Sequence, residues 1–260
     1  MNGTLKITLA ATFAAMAAMG ASSGSARAAD IPVVPVIEAP VIGGWYLRGY
    51  IGMSNQQVGN LDNVLFNSGT IEFLDDGSFD SAPIYGVGVG YQFNEWFRAD
   101  LTGEYRGKAS FTALDRYDWN NDGVWDGTNQ YTATKNEWLI LANAYADLGT
   151  WWGITPYIGA GLGTANVTIS DFTDVNVPNN GVAYADSASK WNFAWALHAG
   201  MGWAVTPAVT VDLGYRYVNL GDGTTGDIVT YTGVNNVNNP MKFDNLYSHD
   251  VHLGVRYAFQ

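Results

Sequence analysis

The chain has 260 residues, of which 47% are hydrophobic, 14% aromatic and only 14% charged, with 31 glycines and no cysteine. So little charge lies well below the quarter or so usual for a soluble domain, and the lack of cysteine excludes a disulfide framework. The formal net charge of -12 makes nucleic acid an unsuitable partner.

In chain order the first element is an export signature. Lys6 opens a short basic start, Ile7 to Ala21 is a run of apolar and small residues, and Ala26-Arg27-Ala28 offers an A-x-A cleavage site. The pattern predicts a secretory signal peptide over 1–28, too short for a membrane span. Cleavage removes Lys6 and Arg27 from the 12 basic residues, leaving 10 against 24 acidic and a mature net charge of -14. Residues 29–44 contain Pro32, Pro35 and Pro40. Prolines cannot donate to a ladder, so an extended periplasmic linker is expected there.

From Trp45 onward eight segments alternate with period two. Their apolar phases run Trp45 to Met53, Tyr85 to Phe93, Phe97 to Tyr105, Trp138 to Leu148, Ile158 to Leu162, Trp191 to Trp203, Val209 to Tyr217 and Val251 to Phe259. That is strand geometry, and nothing after residue 28 approaches the roughly 18 consecutive apolar residues of a helical span.

The interleaved phase carries the charges. Arg48, Arg98, Asp100, Glu104, Arg106, Glu137, Asp147, Asp212, Arg216, Asp250 and Arg256 all fall opposite the aromatics. A soluble sandwich with its aromatics inward would share this alternation, but three features favour the inverted arrangement. Glycines crowd the polar phase (Gly86, Gly88, Gly90, Gly200, Gly202, Gly254), as a narrow lumen requires. Aromatics gather at both strand ends as two girdles. Connections alternate in length, long at 107–135, 168–189 and 219–244, short at 94–95, 149–154 and 206–207. The expected fold is all-β, an eight-stranded antiparallel up-and-down transmembrane barrel over 45–260, with the long loops outside.

A barrel of eight strands is just wide enough for its own side chains to fill. Arg48, Arg98, Asp100, Glu104, Arg106, Asp147, Asp212, Arg216, Asp250, His252 and Arg256 are therefore read as a lumenal charge network that plugs it. The expected function is an envelope structural and surface-exposed protein, not an enzyme. A narrow channel for small solutes is the alternative that the lumenal glycines support. Ser248 and His249 are neighbours on a strand and face opposite ways, so they make no nucleophile and base pair. His252 and Asp250 share a face and read as a hydrogen-bond network.

One loop carries a calcium-like spacing. Asp118, Asn120, Asp122 and Asp126 take positions one, three, five and nine of a calcium loop, but position twelve is Asn129 and flanking helices are missing. The competing reading is a turn whose Asp and Asn side chains bond their own backbone. No other cofactor is expected.

The stretches Leu47-Arg48-Gly49-Tyr50-Ile51-Gly52, Leu141-Ala142-Asn143-Ala144-Tyr145-Ala146-Asp147-Leu148-Gly149, Thr155-Pro156-Tyr157-Ile158-Gly159-Ala160-Gly161-Leu162-Gly163, Asp212-Leu213-Gly214-Tyr215-Arg216-Tyr217 and Gly254-Val255-Arg256-Tyr257-Ala258-Phe259 resemble the alphaproteobacterial outer-membrane β-barrel family. That family is similar to the OmpA-type eight-stranded barrels and includes major surface, porin-like and haemin-binding members. The resemblance implies residence in the outer membrane of a Gram-negative bacterium, with outer-membrane lipids, lipopolysaccharide and the barrel-assembly machinery as partners. Tyr257 and Phe259 would be the insertion signal, although the family usually ends on the aromatic and here Gln260 follows. Haemin-binding or lipid-modifying activity enters only through the family. Haem would look to loop tyrosines Tyr117, Tyr131, Tyr184 and Tyr231, because His198, His249 and His252 lie in strands.

Overall fold

The structure, a computed structural model, describes residues 43–233 and 237–259. The signal peptide expected over 1–28, nearly all of the linker and Gln260 lie outside the described residues.

Eight strands form the wall: β1 (Gly44–Gln57), β4 (Ala82–Gln92), β5 (Phe97–Asp118), β6 (Gly127–Asp147), β7 (Ile154–Asn176), β9 (Ala188–Ala204), β10 (Val209–Thr224) and β12 (Lys242–Ala258). Each pairs antiparallel with the next in that order, and β12 returns to β1 in continuous register from Tyr46↔Ala258 to Gln57↔Tyr247. The ring is thus closed and leaves no unpaired edge, the condition for backbone to cross hydrocarbon as sheet. Four short strands lie outside it: β2 (Asn60–Asp62) and β3 (Thr70–Phe79) in the first outer connection, β8 (Gly181–Ala185) and β11 (Ile228–Thr230) in the later ones.

The wall has two tiers. In the membrane tier, Leu47, Ile51, Val87, Leu101, Ile140, Leu162, Leu197, Leu213 and Leu253 point outward and are exposed, and their strand neighbours point in and are buried or, at Gly52, Gly88 and Gly163, half-buried. Exposed Trp45, Phe93, Trp203, Tyr257 and Phe259 border this band below, and exposed Tyr85, Trp138 and Trp191 above. The inward glycines make room for rings on the adjacent strand. A Cβ on Gly86 would lie 2.1 Å from Cζ of Tyr50, and one on Gly90 would lie 2.3 Å from Cζ of Tyr46. Only glycine lets those rings lie flat against the wall.

The outer tier departs from the expected long loops. Most of 107–135 is strand, with β5 and β6 joined by a turn over 119–126, and β7 runs on through much of 168–189. A register shift between Arg106 and Ala109 moves the inward face of β5 from even to odd residues, so Ala109, Phe111 and Ala113 turn inside. Such a bulge flips every later side chain, which is why phase counting from Tyr105 loses the strand. Asp171 on β7, Gly221 on β10 and Asn245 on β12 stand at φ 54°, 79° and 54°, in the left-handed region that Asp, Asn and Gly tolerate. The breaks in alternation on those three strands fall at these residues.

The effect is a conventional apolar core above the membrane. Phe79, Phe111 and Phe243 pack mutually with ring centroids 5.0, 5.7 and 5.1 Å apart. Ala133, Val167, Ile169, Phe172, Leu220, Met241 and Leu246 are buried in the same cluster.

Candidate functional site

Within the membrane tier the inward side chains converge on two groups. The upper group centres on Arg106 of β5. Its Nε donates to Glu137 Oε2 at 3.0 Å, Nη1 to Glu104 Oε1 and Asp250 Oδ2 at 2.8 Å each, and Nη2 to the hydroxyls of Ser54 and Ser248 at 2.6 Å each. Arg216 closes the other side, with Nη2 donating to Glu104 Oε2 at 2.8 Å and Asp250 Oδ2 at 2.6 Å. Lys135 donates to Glu137. Arg106, Arg216 and Lys135 therefore face Glu104, Glu137 and Asp250, three charges against three.

The lower group is also balanced. Arg48 Nη1 donates to Asp100 Oδ2 at 2.9 Å and to the Tyr145 hydroxyl at 2.8 Å, and Tyr46, Asn143 and the Tyr145 hydroxyl also donate to Asp100. Arg98 Nε meets Asp147 Oδ1 at 3.1 Å, with its guanidinium 4.1 Å from the centroid of the Tyr145 ring. Arg256 Nε meets Asp212 Oδ2 at 2.8 Å. A lone buried charge would be prohibitive, so the pairing and the surrounding hydroxyls are what allow so many to be buried together.

All eleven residues assigned to the lumen from sequence point inward, but ten of them form two groups, not one. His252 lies apart from both: its ring packs 5.2 Å from that of Tyr50 and its Nδ1 is buried without a partner. Asp250 is taken by arginines and Ser248, so the two make no acid-base dyad. Although Arg48 and Arg256 are opposite in register, each bonds its own carboxylate. Sequence reasoning left out Lys135, Ser54, Ser248, Tyr46, Asn143 and Tyr145. Lys135 stands two residues before Glu137 on the same phase, a signal hidden by starting that strand too late, after the expected 107–135 loop.

Elsewhere, Ser248 is buried and His249 faces out, its Nδ1 2.6 Å from the Tyr215 hydroxyl. The calcium-like oxygens serve their own backbone. Asp118 accepts from the Asp122 and Gly123 amides at 3.3 and 2.8 Å, Asn120 from the Asp122 amide at 3.0 Å, Asp122 from Val124 at 2.8 Å and Asp126 from Trp119 at 2.8 Å. Among the described residues no group of three or more His, Cys, Asp or Glu is placed to hold a metal. Of the four tyrosines, Tyr117 and Tyr131 are buried and hydrogen-bonded, while Tyr184 and Tyr231 are exposed. Tyr257 and Phe259 pack edge to face at 5.5 Å on the lower rim.

Comparison with known proteins agrees with this architecture. The family model for an outer membrane protein beta-barrel domain matches residues 9–259. An uncharacterized protein of Brucella abortus is 31% identical, covering 90% of this chain and 92% of its own. Outer membrane protein PagN of Salmonella typhimurium is 29% identical, covering 83% and 90%. A candidate adhesin of Rickettsia prowazekii is 27% identical, covering 82% and 87%. Among solved structures the chain is similar to OprG of Pseudomonas aeruginosa, at 14% identity, with 85% of this chain and 99% of that one covered and a TM-score of 0.46. With a closed antiparallel ring, an apolar outer band and a family match over nearly its whole length, the chain belongs to the outer membrane protein beta-barrel domain family and is an outer-membrane protein of the Gram-negative type.

Proposed function

We propose that the chain is a non-conducting envelope barrel that anchors a rigid β-walled tier above the membrane and displays it. The observation that carries this is the filling of the interior. Two neutral ion groups occupy the membrane tier, and the Phe79, Phe111 and Phe243 cluster roofs them. Ions would have to break buried pairs and then cross an apolar core, which opposes the narrow-channel alternative. Catalysis is opposed by the same packing, because the Ser248 hydroxyl accepts from Arg106 and donates to Asp250, a carboxylate already paired with Arg106 and Arg216. Pure folded protein in planar bilayers should give no discrete conductance steps, and regular steps would sink the reading.

A second reading, surface adhesion, is favoured by the apolar tips of the outer tier. Val124, Val177 and Tyr231 are 65%, 71% and 81% exposed, with Trp119 and Trp125 also exposed nearby in sequence. Solvated turns seldom present so many large apolar groups without a partner surface. The Rickettsia relative's description as a candidate adhesin points the same way. Cells displaying the protein should bind a protein-coated surface more than cells lacking it, and replacing Trp125 and Val177 by Ser should remove the difference.

A further inference from the structure

Beyond the phenylalanine roof the outer tier holds a cavity of about 250 Å³. Its wall is mainly aromatic and aliphatic, with Phe66, Tyr117, Trp119, Tyr131 and Met241, and Asp174 also lines it. Tyr131 of β6 and Asp174 of β7 are opposite in register, and Phe172, two residues before Asp174, shares its face and stacks on Tyr131 at 6.2 Å. The carboxyl is therefore held by strands and not by a loop.

Two carboxyls stand here with different provisions. Asp115 accepts from the Asn129 amide at 3.0 Å and from the Tyr131 hydroxyl at 2.7 Å. Asp174 Oδ1 is buried without any hydrogen-bond partner. Among the described residues no basic side chain pairs with either. Burial pushes the Asp174 carboxyl up to about 7, and the Asp115 charge adds to the rise. An ionised acceptor without a partner costs more stability than a neutral Asn or Thr would, and ring faces around a carboxylate are the surroundings that suit an ammonium group. The volume lies just under the roughly 300–1,000 Å³ of pockets for drug-sized ligands, so the fitting molecule is small.

We propose that this cavity binds a small organic ammonium ion with an aromatic or short aliphatic body, its N–H donated to Asp174 and its body held among the Phe66, Trp119 and Tyr131 rings. The ammonium supplies the missing donor and offsets the repulsion between the two carboxyls. An alcohol of the same shape supplies a donor without the charge, and a carboxylate is repelled.

The test is calorimetric titration of the folded chain in non-ionic detergent with 2-phenylethylammonium, 2-phenylethanol and calcium. At pH 8 the ammonium should bind saturably and at least about tenfold more tightly than the alcohol. At pH 6 it should bind about tenfold more weakly than at pH 8, since protonating a carboxyl that titrates near 7 removes the charge. Asp174→Asn, nearly isosteric and freed of the carboxyl repulsion, should retain heat-modifiable migration and lose the preference for ammonium over alcohol. The proposal is overturned by no saturable ammonium binding up to about 10 mM, a concentration that would nearly fill a site with a Kd of about 1 mM. Equal binding of the alcohol, unchanged binding by a folded Asp174→Asn variant, or calcium binding that excludes the ammonium would overturn it as well.

Discussion

The two tiers share one set of strands and reverse each other's chemistry. Below the bulges, β5 turns Arg98, Asp100, Glu104 and Arg106 inward and exposes Leu101. Above them it turns Ala109, Phe111 and Ala113 inward and exposes Lys108, Ser110 and Thr112. Hydrocarbon outside makes apolar side chains free to face out and leaves the interior to ion pairs, whereas water outside restores the usual inward driving force. What differs is the solvent, and the change in phase is the sequence's response to it.

Removing one charge from the membrane tier should have the largest effect. Arg106→Leu leaves Glu104, Glu137 and Asp250 short of a cation, and stability should fall by about 3–5 kcal/mol, read as a shift in the urea midpoint of heat-modifiable migration. The matching change above is Phe111→Ala. It should cost about 3–4 kcal/mol through a cavity in the roof, and proteolysis should then begin in the outer tier while the membrane tier stays protected. If both variants open the whole barrel together, the tiers are one cooperative unit.

An identical substitution on the two outer surfaces sharpens the contrast. Leu253 and Thr112 both face outward. Leu253→Arg should cost about 2–4 kcal/mol in lipid, whereas Thr112→Arg should lie within about 0.5 kcal/mol of the parent, because only the first surface meets hydrocarbon. Equal costs would mean that the membrane boundary does not lie at the bulges.

The smallest effect is in pH. The unfolded chain holds Asp174 near the ordinary carboxyl value of about 4, and the folded chain holds it at about 7. Between those values the folded state carries the extra proton, so this group's contribution to stability falls as pH rises across the window and the full penalty stands above it. The parent should lose on the order of 2 kcal/mol between pH 5 and 8 relative to Asp174→Asn in parallel urea titrations, with the pH dependence of the difference vanishing only below about pH 3.

The sequence by itself determined the membrane tier: eight strands, their phase, the girdles and the inward set of charges. Each of these is a local consequence of strands whose two faces meet different solvents, and period two records it residue by residue. Tertiary structure decided the rest. Arg106 and Asp250 are 144 residues apart, and nothing local says that they, and not Arg106 and Asp212, become partners; ring closure chooses. The outer strands read as loops because a bulge at Arg106 to Ala109 and left-handed residues at Asp171, Gly221 and Asn245 reset the phase without changing composition. Asp174 falls within 168–189, a stretch that sequence alone reads as a loop. Only the fold places it against aromatic rings, where a carboxylate is costly and therefore informative.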